Sequence, residues 1–323
     1  MARTRFIQAI NDALREEMER DEKVILFGED VEASIFGDTR GLIDIFGSRR
    51  VRNTPISENT LTGMTVGTAA SGYRVVLHLM FANFVYTGMD GIANQMARAR
   101  LMSGGQIDLP ITIIASYGGG RANAAQHSDT PFSAVMNVGG VHVVAPSNPA
   151  DAKGLLKSAI RSNDPVIFFE PGGRGGEQGE VPDGEYLTPI GKAAVVREGT
   201  DLTLIGMGST MRMTLEAADK LAESGIECEV VDVRTMAPLD EDTLCKAAER
   251  TGRVVIVDES RDRCSAASQI SAILADKAFE HLKAPIKRVT TPNVSFPYAP
   301  ASEKYLLPNT DKILAAATEI VRN

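Results

Sequence analysis

The chain is predicted to be an α/β protein built from two doubly wound domains. Short apolar runs alternate with helical periodicity along nearly its whole length. The alternation pauses once, at the glycine-rich stretch 171–179, and then restarts. The 29 glycines among 323 residues supply the tight strand-to-helix turns that such a fold needs. Continuous apolar strands between helices imply parallel sheets covered on both faces.

Taken in order, Phe6, Ile10, Ala13, Leu14 and Met18 lie at helical spacing and open the chain with an amphipathic helix, followed by a strand at 24–27. A strand is expected over 51–56, then a helix from Ser57, its N-cap, to about Ser71. Next come a strand at 74–80, a helix at 87–102, strands at 111–116 and 141–145, a helix at 148–162 with Pro149 in its first turn, and a strand at 166–170. Beyond the linker the pattern gives strands at 193–196 and 202–205, a helix at 211–224 and a strand at 229–233. A helix at 240–250, a strand at 254–257, a helix at 265–282, a strand at 286–289 and a helix from about Thr310 follow. The expected domains are residues 1–180 and 190–323.

Composition narrows the function. An apolar share of 43% and a charged share of 24% are those of a soluble globular protein. A net charge of -8 excludes nucleic acid as the main partner, because phosphate binding needs a basic face. No apolar run approaches the roughly 18 residues of a membrane span. The opening residues read as neither a secretory signal nor a transit peptide. Three cysteines without a CxxC spacing fit a reducing compartment, so a cytoplasmic protein is expected.

Two motifs carry chemistry. In Thr54-Pro55-Ile56-Ser57-Glu58 a carboxylate opens a helix. Taken alone this is routine, since acidic first turns are favoured by the helix dipole by about 0.3–1 kcal/mol. In Ala124-Ala125-Gln126-His127-Ser128 a histidine stands in a polar loop after Gly118-Gly119-Gly120, where a structural role is the ordinary reading. The glycine run lacks GxGxxG and the terminal Gly-Lys-Ser/Thr of a phosphate loop, so it reads as a tight turn. His142 and His281 are isolated and share no metal-ligand spacing with the cysteines.

Together with the segment from His78 to Thr87 and the proline-rich stretch Phe296-Pro297-Tyr298-Ala299-Pro300, these motifs resemble the beta subunits of thiamine-diphosphate-dependent 2-oxoacid dehydrogenases, over nearly the whole chain. The resemblance implies a transketolase-like pair of domains, a pyrimidine-binding one followed by a C-terminal one for subunit association. It also assigns roles. Glu58 would hydrogen-bond N1′ of the cofactor's aminopyrimidine and so promote deprotonation of the thiazolium C2. Met80, Phe84 and Thr87 would line the pyrimidine, Phe84 by stacking, worth on the order of 1 kcal/mol beyond burial. His127 would assist at the reactive side. His78, Thr87 and Ala115 depart from the family's pattern and leave the substrate open.

The sequence contains no Gly-Asp-Gly, the motif that holds Mg2+ and diphosphate in such enzymes. The resemblance therefore implies that an alpha subunit holds both, in an α2β2 heterotetramer with the cofactor at the interface. It further implies docking to a lipoyl acyltransferase core, and a potassium ion on carbonyls near Ile111, Ala159, Ser162 and Asp164. The expected reaction is oxidative decarboxylation of a pyruvate-like or acetoin-like 2-oxo acid, with acyl transfer to a lipoyl group or another acceptor. The alternatives are a split transketolase-like carbon–carbon ligase or lyase subunit, and a non-catalytic scaffold subunit.

Overall fold

The structure is a computed structural model that describes residues 2–321. The chain forms two units. One comprises Met1–Tyr117 and Ala134–Ile190, the other Gly118–Ser133 and Gly191–Asn323.

The first unit runs β1 (Ala2–Arg5), α1 (Phe6–Arg20), β2 (Val24–Gly28), α2 (Leu42–Phe46), β3 (Val51–Asn53), α3 (Glu58–Ala70), β4 (Arg74–Phe81), α4 (Ala97–Met102) and β5 (Ile111–Tyr117). After the short α5 (Phe132–Met136) come β6 (His142–Val144), α6 (Pro149–Arg161), β7 (Val166–Pro171) and β8 (Gln178–Val181). Its parallel sheet has the order β6-β7-β5-β4-β2-β3. The apolar stripe of α1 (Phe6, Ile10, Leu14, Met18) and that of α6 (Leu155, Leu156, Ile160) bury against Leu26, Val76, Ile114 and Phe168 of the strands. Asn148 caps α6 by accepting the Asp151 N–H at 2.9 Å, and Pro149 fills the first turn, as the sequence pattern predicts.

Differences from the expected elements have local causes. The strand expected over 51–56 stops at Asn53, ahead of Pro55, which has no N–H for a ladder. The expected helix at 87–102 begins as a π-helical segment, Asp90–Met96, before α4. At Gly91 a Cβ would meet Thr62 Oγ1 of α3 at 2.3 Å, so the two helices approach through a bare backbone. Gln178–Val181 lies inside the expected linker but forms β8, antiparallel to β1. Neither strand has the apolar alternation that marks a buried ladder.

In the second unit the elements are β9 (Ala194–Arg197), β10 (Leu202–Gly206), α7 (Met211–Ala222), β11 (Cys228–Asp232), β12 (Thr235–Ala237), α8 (Glu241–Thr251), β13 (Val254–Arg261), α9 (Ala266–Lys277), β14 (Lys287–Thr291), α10 (Pro300–Leu306) and α11 (Thr310–Val321). The sheet order is β14-β13-β10-β11-β9, with β9 antiparallel to β11 and the other pairs parallel. Its core gathers Leu204, Val230, Val255 and Val257 beneath Met211, Leu221, Ile313 and Ile320. The sequence places residues 118–133 in the first domain. In the structure they belong to the second unit, because their backbone donors are bonded there to Glu259 and Glu303. No helix is long and apolar enough to cross a membrane among the described residues.

Candidate active site

In a parallel sheet all strands end at one edge, and ligands bind there. In the first unit this edge collects acids. Glu29 follows β2, Glu170 lies near the end of β7, and His78 of β4 pairs in register with Gly28 of β2. Glu58 opens α3, a helix whose N-terminus favours an anion. Glu58 is only 7% exposed and Glu29 6%.

Ser57 stands at the N-cap, but its hydroxyl bonds Thr60 Oγ1 at 2.8 Å rather than a backbone N–H. Thr62 Oγ1 instead anchors this turn, donating within 2.9 Å of the Glu58 carbonyl and 3.0 Å of the Gly88 carbonyl. The Gly88 N–H in turn bonds the Phe84 carbonyl at 3.1 Å. Glu58, Thr87 and Phe84 are thereby linked through one short backbone path. Thr87 is exposed and Phe84 half-buried. Among the described residues the Glu58 carboxylate accepts no hydrogen bond, and Glu29 Oε1 is buried without a partner.

Sequence reasoning missed Glu29. Its carboxyl is pushed up to about 7, first by burial, then by the charges of Glu58 and Asp30, with His78 acting in the opposite direction. The available signal was positional: an acid immediately after an apolar strand of a parallel sheet. Glu29, Phe36, Asp38 and His78 line one narrow crevice.

His78 pairs with a second unforeseen acid. Its Nε2 lies 2.7 Å from Asp38 Oδ2, both side chains being buried. Burial by itself would raise the Asp38 carboxyl. The neighbouring His78 and the Thr39 backbone N–H, 3.0 Å from Oδ1, outweigh it and hold Asp38 below its ordinary range. The other ring nitrogen, Nδ1, accepts the Met80 N–H at 3.1 Å, which fixes the Nε2–H tautomer. Burial opposes the imidazolium, but Asp38, Glu170 and Glu29 around the ring outweigh it and raise the His78 pKa above its ordinary value, against the Met80 contact. The Met80 N–H decides for the neutral ring, because a protonated Nδ1 could not accept it.

The Met80 backbone is left-handed at φ 56°, where the pairing of β4 with β5 shifts register. Such a non-glycine conformation costs roughly 1–3 kcal/mol and gathers at ligand sites. Phe36 stacks on His78 with centroids 5.7 Å apart and meets Phe81 edge-on at 5.4 Å, and Phe81 meets Phe84 at 6.3 Å. An aromatic series thus runs from the buried Asp38–His78 pair to the ring expected to stack on a pyrimidine.

Asp38, His78 and Glu170 are also the one group of three metal-ligand types close enough to share an ion among the described residues. With Nε2 on Asp38 and Nδ1 on a backbone N–H, the ring has no lone pair left for a metal.

His127 lies in the second unit, half-buried in a turn over Ala125–His127. Its loop is fastened at four points. Gly119 N–H donates to Glu259 Oε1 at 2.6 Å and Ala122 N–H to Glu303 Oε2 at 2.8 Å. Arg261 pairs with Asp129 at 2.6 Å, and Ser260 Oγ bonds the Thr130 carbonyl at 3.3 Å. A Cβ on Gly119 would sit 2.9 Å from Phe296 Cε1, and one on Gly118, at φ 97°, 2.7 Å from Glu259 Oε1. The glycine run is a cradle for two of the chain's own carboxylates, which explains why it lacks a phosphate-loop pattern.

The carbonyls expected to hold potassium carry protein donors. Ala159 O accepts the Ser162 N–H at 3.1 Å, Ser162 O accepts Arg74 Nη1 at 2.9 Å, and Asp164 O accepts Ser162 Oγ at 2.9 Å. Ile111 begins β5 nearby, its N–H on Leu109 O at 2.8 Å.

Two α/β units with mainly parallel sheets, the first with buried carboxylates at its strand ends, define a class that comparison with known families makes specific. Residues 3–175 match the transketolase pyrimidine binding domain, and residues 191–313 the transketolase C-terminal domain. Over 325 residues the chain is 44% identical to the pyruvate dehydrogenase E1 component subunit beta of Bacillus subtilis (strain 168), covering 99% of each. It is 43% identical to the acetoin:2,6-dichlorophenolindophenol oxidoreductase subunit beta of the same organism, covering 97% of this chain and 96% of the relative. To its 2-oxoisovalerate dehydrogenase subunit beta it is 42% identical, covering 98% of each. A split gene transketolase, solved as an inactive beta4 tetramer, superposes with a TM-score of 0.81 at 23% identity, covering 98% of this chain and 97% of that one; this bears on the fold alone. The chain belongs to the family of thiamine-diphosphate-dependent 2-oxoacid dehydrogenase beta subunits, with transketolase-like domains. It is a subunit of an enzyme, and its family works with an alpha subunit.

Proposed function

We propose that the chain joins an alpha subunit in an α2β2 heterotetramer that oxidatively decarboxylates a 2-oxo acid of the pyruvate or acetoin type. The acyl group then passes to a lipoyl group or another acceptor. The observation that carries this reading is Glu58: a buried carboxylate at a helix N-terminus, without a protein hydrogen bond, coupled to Glu29.

Thiamine diphosphate, when bound, supplies the nucleophilic carbon and the electron sink for decarboxylation. The residues fit it. Glu58 has a free acceptor for a ring nitrogen's proton, and Glu29, poised near neutrality, can take up or release the proton that Glu58 shares. Phe84 offers an aromatic face, and Met80, in its strained conformation, a side chain on the same loop. Thr87 borders the Glu58 turn through Gly88. His127 stabilises charge and moves protons at the substrate side. Diphosphate and Mg2+ fall to the alpha subunit, because this chain lacks the Gly-Asp-Gly motif and the one buried ligand cluster among the described residues is closed. Near Ile111, Ala159, Ser162 and Asp164, where the resemblance implies a potassium ion, the Arg74 guanidinium places a positive charge on the Ile160 and Ser162 carbonyls. Docking to a lipoyl acyltransferase core and a cytoplasmic location complete the proposal.

Steady-state kinetics of Glu58→Ala, assembled with the alpha subunit, test the reading. A loss of about 10²–10⁴-fold in kcat is expected for a group that manages a proton. Activity within about tenfold of wild type would remove Glu58 from the mechanism.

A further inference from the structure

The loop that carries His127 has an unusual construction. Ala122 and Ala124 both stand in the left-handed region, at φ 55° and 59°, although neither is glycine. Alanine leaves this conformation unless the surroundings over-determine it. Two buried carboxylates provide that constraint from within the second unit. Glu303, 1% exposed on α10, accepts the Ala122 N–H at 2.8 Å. Glu259, 7% exposed near the end of β13, accepts the Gly119 N–H at 2.6 Å, and its second oxygen accepts the Ser209 hydroxyl at 2.5 Å.

These acids come from segments some 140 and 180 positions distant in the chain, yet both aim at the backbone within eight residues of His127. A carboxylate binding a backbone N–H needs no particular side chain on the loop. It fixes the path of the main chain and leaves the side chains free for other work. The bare glycines are the counterpart: a side chain on Gly118 or Gly119 would strike Glu259 or Phe296.

We propose that Glu259 and Glu303 are positioning residues that clamp the 118–127 loop and thereby set the place of the His127 imidazole for the reaction. Neither touches substrate; each acts through the loop's backbone. This rests on the reading of His127 as a catalytic residue. Glu303 gives the sharper test, because its hydrogen bond to the loop is to the Ala122 N–H, two residues from the left-handed Ala124 and five from the histidine.

The test is a double-mutant cycle in the full heterotetramer, assembled with its alpha subunit, thiamine diphosphate and Mg2+. Reduction of dichlorophenolindophenol is followed with whichever of pyruvate, acetoin or 2-oxoisovalerate the wild type turns over fastest. Glu303→Ala is expected to lower kcat by at least about tenfold, since a small misplacement of a catalytic group has effects up to about 10²-fold. KM should stay within about twofold, because uniform binding of the substrate is untouched. Glu303→Gln, whose amide oxygen still accepts the Ala122 N–H, should restore most of the rate. In a His127→Ala background, Glu303→Ala should cost nothing further, because a clamp has no value without the group it places.

A merely structural role predicts the opposite: losses that add to that of His127→Ala, and no rescue by glutamine. Either result overturns the clamp while leaving His127 catalytic. An unchanged kcat for His127→Ala alone would overturn the histidine's role, and with it the reason for a clamp. Should Glu303→Ala fail to assemble, Glu303→Asp carries the same cycle, since its shorter arm withdraws the acceptor and keeps the charge.

Discussion

Glu58 and Glu29 form a coupled pair: the charge of Glu58 adds to burial in raising the Glu29 carboxyl to about 7. Two acids that face one site cannot both ionise freely, so one of them keeps its proton near neutral pH. The coupling has a consequence for stability. The native state holds the Glu29 proton up to about pH 7, whereas the unfolded chain releases it near the ordinary value of 4.5. Between these values the native form binds more protons, so the contribution is fully present below 4.5 and is lost as pH rises through 7. Glu29→Gln removes the titration. Its melting temperature relative to wild type should climb from pH 4.5 to 7 and level off above. A difference that stays flat across this window would mean that Glu29 ionises normally.

The Asp38–His78 pair gives a second expectation. Removing one partner of a buried pair leaves the other unsatisfied, at a cost of about 3–5 kcal/mol for a charged group and about 1–3 for a neutral one. Asp38→Ala should fall in the lower range if His78 is the neutral tautomer that the Met80 N–H requires. His78→Glu, which sets a second acid beside Asp38, should destabilise the chain more while Asp38 is present than in an Asp38→Asn background. Urea midpoints of the four proteins measure the coupling. Equal effects in both backgrounds would show that the pair carries no electrostatic interaction.

The sheet frame was legible because apolar periodicity records burial directly. The α1 stripe from Phe6 to Met18, the cap at Asn148 and the strand at 202–205 follow from it. β8 was not legible, since a two-stranded ribbon with exposed positions leaves no apolar alternation. The position of Glu58 at the start of its helix was legible, because that motif is local. Asp38, Glu170, Glu259 and Glu303 act at long sequence separation. Each reads in sequence as an ordinary acid, and only the fold brings it to His78, Gly119 or Ala122. Residues 118–133 group with the second unit for the same reason.

Cofactor binding should require two chains. Among the described residues this chain offers acceptors and an aromatic face for a pyrimidine, but no open ligand set for a diphosphate-bound metal. Calorimetric titration of thiamine diphosphate with Mg2+ should therefore show no heat with the chain alone and saturable binding once the alpha subunit is added. Tight binding to the chain alone would place a diphosphate site within it and overturn the division of labour.

Arg74 closes the C-terminal end of α6. Its Nη1 donates to the Ile160 and Ser162 carbonyls at 3.1 and 2.9 Å, and Nη2 to Asn163 Oδ1 at 2.9 Å. These are carbonyls that a helix leaves without partners, and a cation there also complements the helix dipole. Because the guanidinium occupies this position, the wild-type melting temperature should be the same in potassium chloride as in tetramethylammonium chloride at equal ionic strength. Arg74→Ala exposes the carbonyls at a cost of about 1–3 kcal/mol, or several degrees. In that variant potassium should recover part of the loss, since a weakly hydrated monovalent ion suits a carbonyl cluster. A wild-type melting temperature that rises with potassium would mean that an ion shares these carbonyls with Arg74.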